Sequence, residues 1–264
     1  MAPYDFQAPG ADVILRSSDR EEFPVHKDIL SIASPVFRDM FNLPQPPEPT
    51  SRIPIVDLSE PSDILRPFIQ FVYPRSPPNI SDITTLAALF TIADKYATEV
   101  VTGQLRGMLI PRFLYASPPR VYALASHWGF EEEAKVASRR CLEMDISKGF
   151  SEEDASLMGG VACQKFYLLH IQRRSKAQAL LNSHPRPLKS HRDCLCNRMD
   201  FDVVTQVLSQ QVSTRSWLSA EDFYREFTGA AGHCGNDGCR CSFEKVHSWI
   251  SSILKDLNEL PQTI

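Results

Sequence analysis

Short β-branched runs open the chain, and apolar residues at helical spacing follow. Asp12-Val-Ile-Leu15 is a strand-type run. Ser17 to Glu22 has turn and charge composition, and Phe23-Pro-Val-His26 reads as a short return strand. Ile29, Ile32, Ala33, Phe37, Met40 and Phe41 then fall on one helical stripe. Ser34-Pro35 divides that stripe in two, because Ser caps a helix and Pro suits its first turn. Ile53 to Leu58 predicts a third strand, Ile64 to Tyr73 a helix ending in an aromatic, and Ile80 to Leu109 a pair of helices. The segment LPQPPEPT, residues 43 to 50, falls between elements as a loop.

Beyond this part the pattern is helical throughout. Ser117-Pro118 starts a helix with Val121, Tyr122, Leu124, Ala125 and Trp128 on its apolar face, and Gly129 ends it. Phe130 to Leu142 is its partner, with Glu early and Arg late, as the helix dipole favours. Ser151 to Asp154 matches a capping box before a long helix running to about Leu181, interrupted in composition by Gly159-Gly160. Met199 to Gln211 and a short piece capped at Ser219 to Asp222 are further helices. The last helix opens at Ser242 and carries Phe243, Val246, Trp249, Ile250, Ile253, Leu254, Leu257 and Leu260. That stripe reads as core packing or as a docking helix.

The ordered set of elements from Ala11 to Leu109 resembles the BTB (POZ) domain. With the Cys-rich stretch and Trp-bearing last helix, the whole resembles the compact BTB proteins of mushroom-forming fungi. The resemblance implies an α+β fold, a short mixed sheet covered by helices over residues 11–110. An all-α remainder follows, comprising a helical extension at 117–183 and a Cys/His-rich helical region at 190–264. It also implies a non-enzymatic protein–protein interaction module, a docking or oligomerisation unit serving as a ubiquitin-ligase adaptor or in transcription regulation. Other proteins are the expected partners, a homodimer among them. Swapping of an N-terminal strand is not expected, since MAPYDFQAPG has two prolines and no helical pattern. A cullin-type ligase is admitted but not favoured. Cullin-binding members carry an apolar-x-Glu element in the loop after the second short helix, and here Glu48 follows Pro46 instead.

Composition narrows the setting. The chain has 264 residues and a net charge of −4, so bulk electrostatics do not favour nucleic acid. No apolar run approaches the length of a membrane span, and the first residues lack a signal-peptide pattern. An intracellular chain, cytoplasmic or nuclear, is the expectation, with its seven cysteines reduced, metal-bound or buried.

Five of those cysteines cluster late, in HRDCLCNR and HCGNDGCRC. Cys194, Cys196, Cys234, Cys239 and Cys241, with His191, are candidate ligands of a structural zinc ion. Two thiolate groups on separate turns are what a tetrahedral staple needs, and mixed Cys and His without ferredoxin spacing favours Zn2+ over iron. The spacings are C-x-C and C-x4-C-x-C, so reduced loop thiols and disulfide or redox chemistry stand as alternatives. Cys141 and Cys163 lie on apolar helical faces as small core residues. No catalytic site is expected: no Ser elbow, phosphate loop or H-E-x-x-H motif occurs. His26, which could be imagined as a base, is expected to cap and pack the first helix. Lys165 to Arg198 is locally basic, either a solvated face or a site for an anionic partner. A zinc-dependent nucleic-acid-binding regulator is thus the alternative function.

Overall fold

The structure is a computed structural model. It describes residues 9–43, 53–74, 76–145, 150–183, 206, 208–210, 212 and 240–263, with side chains of the last helix from Ser248. The chain divides into two compact units, Met1–Phe113 and Leu114–Ile264.

The first unit is built on a three-stranded sheet of β1 (Val13–Arg16), β2 (Glu22–Val25) and β3 (Ile55–Asp57), in the order β2-β1-β3. β1 pairs antiparallel with β2, with Val13 opposite Val25 and Leu15 opposite Phe23. It pairs parallel with β3, with Ile14 opposite Ile55 and Arg16 opposite Asp57. Side chains alternate across a strand, so Val13, Leu15, Phe23 and Val25 share one face, and all four are buried. Parallel pairing of β1 and β3 requires a crossover, which carries the helices α1 (Lys27–Ala33) and α2 (Pro35–Asn42). Then come α3 (Ser62–Val72), α4 (Ile83–Lys95), α5 (Glu99–Met108) and a π-helical turn, Leu109–Phe113.

Two helix starts in this unit, those of α2 and α4, are capped by the residue just before them. Ser34 accepts a hydrogen bond from the Phe37 N–H, as its place before Pro35 predicts. Asp82 accepts from the Thr85 N–H and hydroxyl, which hold its carboxyl below the usual range. Asp19, in the β1–β2 turn, accepts from the N–H and hydroxyl of Ser62 at the start of α3. Its carboxyl is lowered to about 2 by hydrogen bonds from Ser17 and Ser62. Two sequence expectations fail here. His26 stands at the N-cap of α1 without a capping side-chain bond, and the Asp12 carboxylate accepts from the Lys27 N–H instead. Ile32, placed on the core stripe, is 82% exposed, while Leu30 is fully buried. The break at Ser34 gives α1 and α2 separate axes, so one periodicity does not run through both.

The second unit begins with the antiparallel neighbours α6 (Pro118–His127) and α7 (Glu131–Cys141), joined at Gly129 with φ of 69°. Val121, Tyr122, Leu124 and Ala125 are buried as expected, while Ser117 makes no side-chain cap. Next comes α8 (Glu152–Ser183), broken at Gly159, where φ is 74° and ψ is 167°. The Asp154 N–H donates to the Ser151 hydroxyl, and the Asp154 carboxylate accepts from Arg120 on α6 at 2.6 Å. Arg120 also pairs with Glu153. Tyr122, Phe150, Phe166 and His170 form an aromatic run between these helices, with Phe150 and Phe166 centroids 4.5 Å apart and Phe166 and His170 4.4 Å.

The last helix, α9 (Arg240–Asn258), packs on the second half of α8. Trp249, Ile250, Ile253, Leu254 and Leu257 join Ala177, Leu181, Leu208 and Val212 in one buried cluster. The stripe on α9 is therefore core, at least from Trp249 onward. Residues 206 and 208–210, within the helix expected at Met199 to Gln211, are helical, as is residue 212 just past it; the piece expected at Ser219 to Asp222 lies outside the described residues. Among the described residues no helix is long and apolar enough to cross a membrane.

Candidate interaction surface and Cys/His region

The first unit is organised around two tyrosines that tie distant segments together. Tyr96, at the end of α4, stacks on Phe37 of α2 with centroids 4.5 Å apart. Its hydroxyl donates to Glu60 Oε2 at 2.8 Å, and Lys95 pairs with the same carboxylate. Burial pushes the Glu60 carboxyl up, but the hydrogen bonds from Lys95 and Tyr96 outweigh it and hold it below the usual range. Burial beside this carboxylate pushes the Tyr96 phenol up.

Tyr73, the aromatic that closes α3, accepts from the His26 N–H at 2.8 Å, and its hydroxyl lies 3.1 Å from His26 Nδ1. His26 Nε2 lies 3.1 Å from the Pro9 carbonyl oxygen. One tautomer serves both ring contacts: Nε2–H donates to Pro9, and Nδ1 accepts from Tyr73. Both ring nitrogens are thus engaged in holding the start of the chain to the end of α3. His26 thus serves the fold through this bridge, not through the cap expected of it.

With these residues turned inward, the described part of the unit displays large apolar side chains in four places, one of them Leu43 at the end of α2. Ile32 projects from α1, Val100 from α5, and Ile53 and Ile55 share one face of the edge strand β3. Sequence reasoning placed Ile32 in the core and singled out neither Val100 nor the Ile53–Ile55 pair. The signal available was the shortness of α1, whose seven residues can bury only one narrow stripe.

The candidate metal ligands are not brought together or separated by anything described. His191, Cys194, Cys196, Cys234 and Cys239 lie outside the described residues; Cys241 sits in the first turn of α9, with its side chain outside them. Among the described residues no group of three or more His, Cys, Asp or Glu side chains is placed to hold a metal. Cys141 is buried, and burial pushes its thiol up to about 12; Cys163 is half-buried.

The basic run is split by the fold. Lys165 and Lys176 are exposed on α8, but Arg173 is 2% exposed. Its guanidinium donates to the Leu257, Leu260 and Pro261 carbonyls, each at 2.8 Å, and so satisfies the C-terminal end of α9. That residue belongs neither to a solvated face nor to a phosphate contact.

Against known proteins, residues 6–112 match the family model of the BTB/POZ domain. Among solved structures, the BTB domain of zebrafish PATZ1 is similar at 21% identity over 38% of this chain and 78% of that chain, with a TM-score of 0.30. The sheet order, the two short crossover helices and the closing helix pair agree with the family match, and the chain therefore carries a BTB/POZ domain, a protein-interaction and oligomerisation module, at residues 6–112.

Proposed function

We propose that this chain is a non-enzymatic docking protein whose BTB unit self-associates and recruits a further protein, in an adaptor or transcription-regulatory role. The observation that carries the reading is the BTB match over residues 6–112, joined to the exposure of Ile32 on α1. Covering this side chain in a dimer would remove apolar surface from water, a favourable term. Sedimentation velocity of the full chain at tens of micromolar tests the self-association. A dimer is expected, shifted toward monomer by Ile32→Asp. A strict monomer under these conditions removes the self-association from the reading.

The same reading assigns the late cysteines a structural zinc ion. The support is the ligand chemistry of the two segments and the sense of the last helices. Arg173, earlier in α8, meets the end of α9, while Ala177 and Leu181, later in α8, pack with Trp249 to Leu257. The two helices therefore run in opposite senses, so the chain leaves α8 on the side where α9 begins, with Cys241 in its first turn. A metal held by Cys194, Cys234 and Cys239, with a fourth ligand from Cys196, Cys241 or His191, would close that side of the unit.

A further inference from the structure

Three Ser-Pro pairs occur along the chain, Ser34-Pro35, Ser76-Pro77 and Ser117-Pro118. The fold treats them differently. Ser34 is fully buried, with its hydroxyl engaged by the Tyr96 carbonyl and the Phe37 N–H. Ser117 is half-buried at the start of α6; its carbonyl accepts from the Val121 N–H at 3.0 Å, and Pro118 beside it is buried. Ser76 stands between α3 and α4, where residues 76–82 form neither helix nor strand. Pro74, Ser76, Pro77 and Asn79 are exposed, and the Ser76 hydroxyl has no hydrogen-bond partner among the described residues. This connection is anchored on both sides. Tyr73 is buried with its hydroxyl on the His26 N–H, and Ile80 is buried with its carbonyl accepting from Arg112 at 3.2 Å. Pro77 and Pro78 stiffen the stretch between, since each fixes its own φ and drives the residue before it into extended backbone.

We infer that Ser76, selected by the fold from the three pairs, is a phosphorylation site for a proline-directed serine/threonine kinase. The Ser76 oxygen attacks the γ-phosphorus of ATP while the bond from that phosphorus to the β,γ-bridging oxygen breaks. ADP leaves, and the hydroxyl proton passes to the kinase's catalytic carboxylate. Recognition rests on the residue after the serine. Proline carries no N–H. A kinase pocket without an acceptor at that point strands the N–H of any other residue, at a cost of about 1–3 kcal/mol, and so selects Ser-Pro. The substrate must also enter the cleft as an extended segment, and the two prolines hold Ser76 to Pro78 in that form beforehand. A phosphate on Ser76 breaks no hydrogen bond among the described residues and faces solvent. By sequence alone Ser117 is at least as good a substrate, because Arg120 adds a cation three positions on, where cyclin-dependent kinases favour one. In the folded chain Arg120 is engaged with Asp154 at 2.6 Å and with Glu153, and access to Ser117 requires the first turn of α6 to open.

The test incubates the full chain with ATP and a purified cyclin-dependent kinase, and separately with a mitogen-activated kinase. Mass spectrometry then follows the phosphate at each serine with time. Synthetic peptides of residues 69–83 and 110–124 carry the Ser76 and Ser117 sequences without the fold. In the full chain the initial rate at Ser76 should exceed that at Ser117 by about tenfold or more, because Ser117 reacts only from a locally opened helix. Ser34 should stay unmodified. In the peptides the preference for Ser76 should vanish or reverse. Ser76→Ala should remove most of the phosphate incorporated by the full chain, and Pro77→Ala should slow modification of Ser76 by about tenfold or more. Both positions are exposed, and unchanged circular dichroism of the two variants checks that the fold is kept. Absence of phosphate at Ser76 with both kinases would overturn the inference, as would Ser117 reacting as fast as Ser76 in the full chain. So would a rate at Ser76 indifferent to Pro77→Ala, or the same preference in the peptides as in the chain.

Discussion

The Ser34 hydroxyl donates a hydrogen bond to the Tyr96 carbonyl at 2.5 Å, across 62 positions of the chain. The same oxygen accepts from the Phe37 N–H, so one buried side chain starts α2 and finishes α4. Ser34→Ala is expected to remove the cap and leave the Tyr96 carbonyl without this donor, costing roughly 2–3 kcal/mol. Urea unfolding of the full chain, followed by a probe in the first unit, checks it. A loss below about 0.5 kcal/mol would show that water or a neighbour replaces the hydroxyl.

Phe37 lies fully buried between Tyr96 and Phe41, with the Phe41 centroid 5.9 Å away. Phe37→Ala should cost roughly 3–5 kcal/mol through the cavity it leaves, and Phe37→Leu clearly less. The same unfolding experiment separates the two variants. A cost under about 1 kcal/mol for the alanine would place Phe37 outside the core.

Arg173 should anchor the end of α9. Arg173→Met keeps much of the apolar stem but withdraws the donors from three carbonyls, an expected loss of roughly 2–4 kcal/mol. Arg173→Lys should recover little, because an ammonium cannot reproduce the planar fork. Hydrogen exchange across residues 240–263 is the readout, with faster exchange confined to that helix and its cluster with α8.

The buried His170 gives the second unit a pH dependence. Burial, then Arg174 and Arg173, lower its imidazole to about 4 from an ordinary value of 6.5. The folded state thus holds the ring neutral while the unfolded state gains a proton between about pH 6.5 and 4. This contribution is fully present above about pH 6.5 and is lost as pH falls through about 4, on the order of 2–3 kcal/mol in all. His170→Phe, which suits the ring contact with Phe166, should flatten the acid limb between those pH values. Thermal midpoints from pH 7 to 4, compared between the two proteins, measure it.

The zinc staple has a direct chemical test. Elemental analysis of the purified chain should find about one zinc per chain, as a single tetrahedral site requires. Chelation should raise hydrogen exchange over residues 190–264 while the BTB unit stays protected, because metal affinity and local folding are coupled. Zinc-free protein with an unchanged C-terminal third would end the assignment in favour of reduced thiols.

The order of elements was legible because each carries its own local mark. The alternation around Val13 and Leu15, the Ser-Pro pair at 34–35 and the stripe from Trp249 to Leu257 each point to one local structure. What local pattern could not reveal was which partner a polar group would meet at long range. Asp12 instead of His26 caps α1, and Arg173 counts as basic composition until α9 is laid beside α8. The exposure of Ile32 was hidden for the related reason that hydropathy reports what a side chain prefers, not whether a neighbour exists to cover it. The ligand cluster was visible as spacing alone, and spacing does not fix a geometry.

Gly159 gives the second unit a steering joint. Its φ of 74° and ψ of 167° fall in a region open essentially to glycine, although a Cβ there would meet no atom within 4 Å. Free space around the residue means that a substitution would be resisted by the backbone torsion and not by collision. The change of heading between the first turns of α8 and the stretch from Gly160 to Ser183 is thus made at a single pair of dihedral angles. Replacing Gly159 with D-alanine by semisynthesis would keep that heading, whereas L-alanine would press the chain toward a straight helix and re-aim residues 160–183 against the first turns of α8.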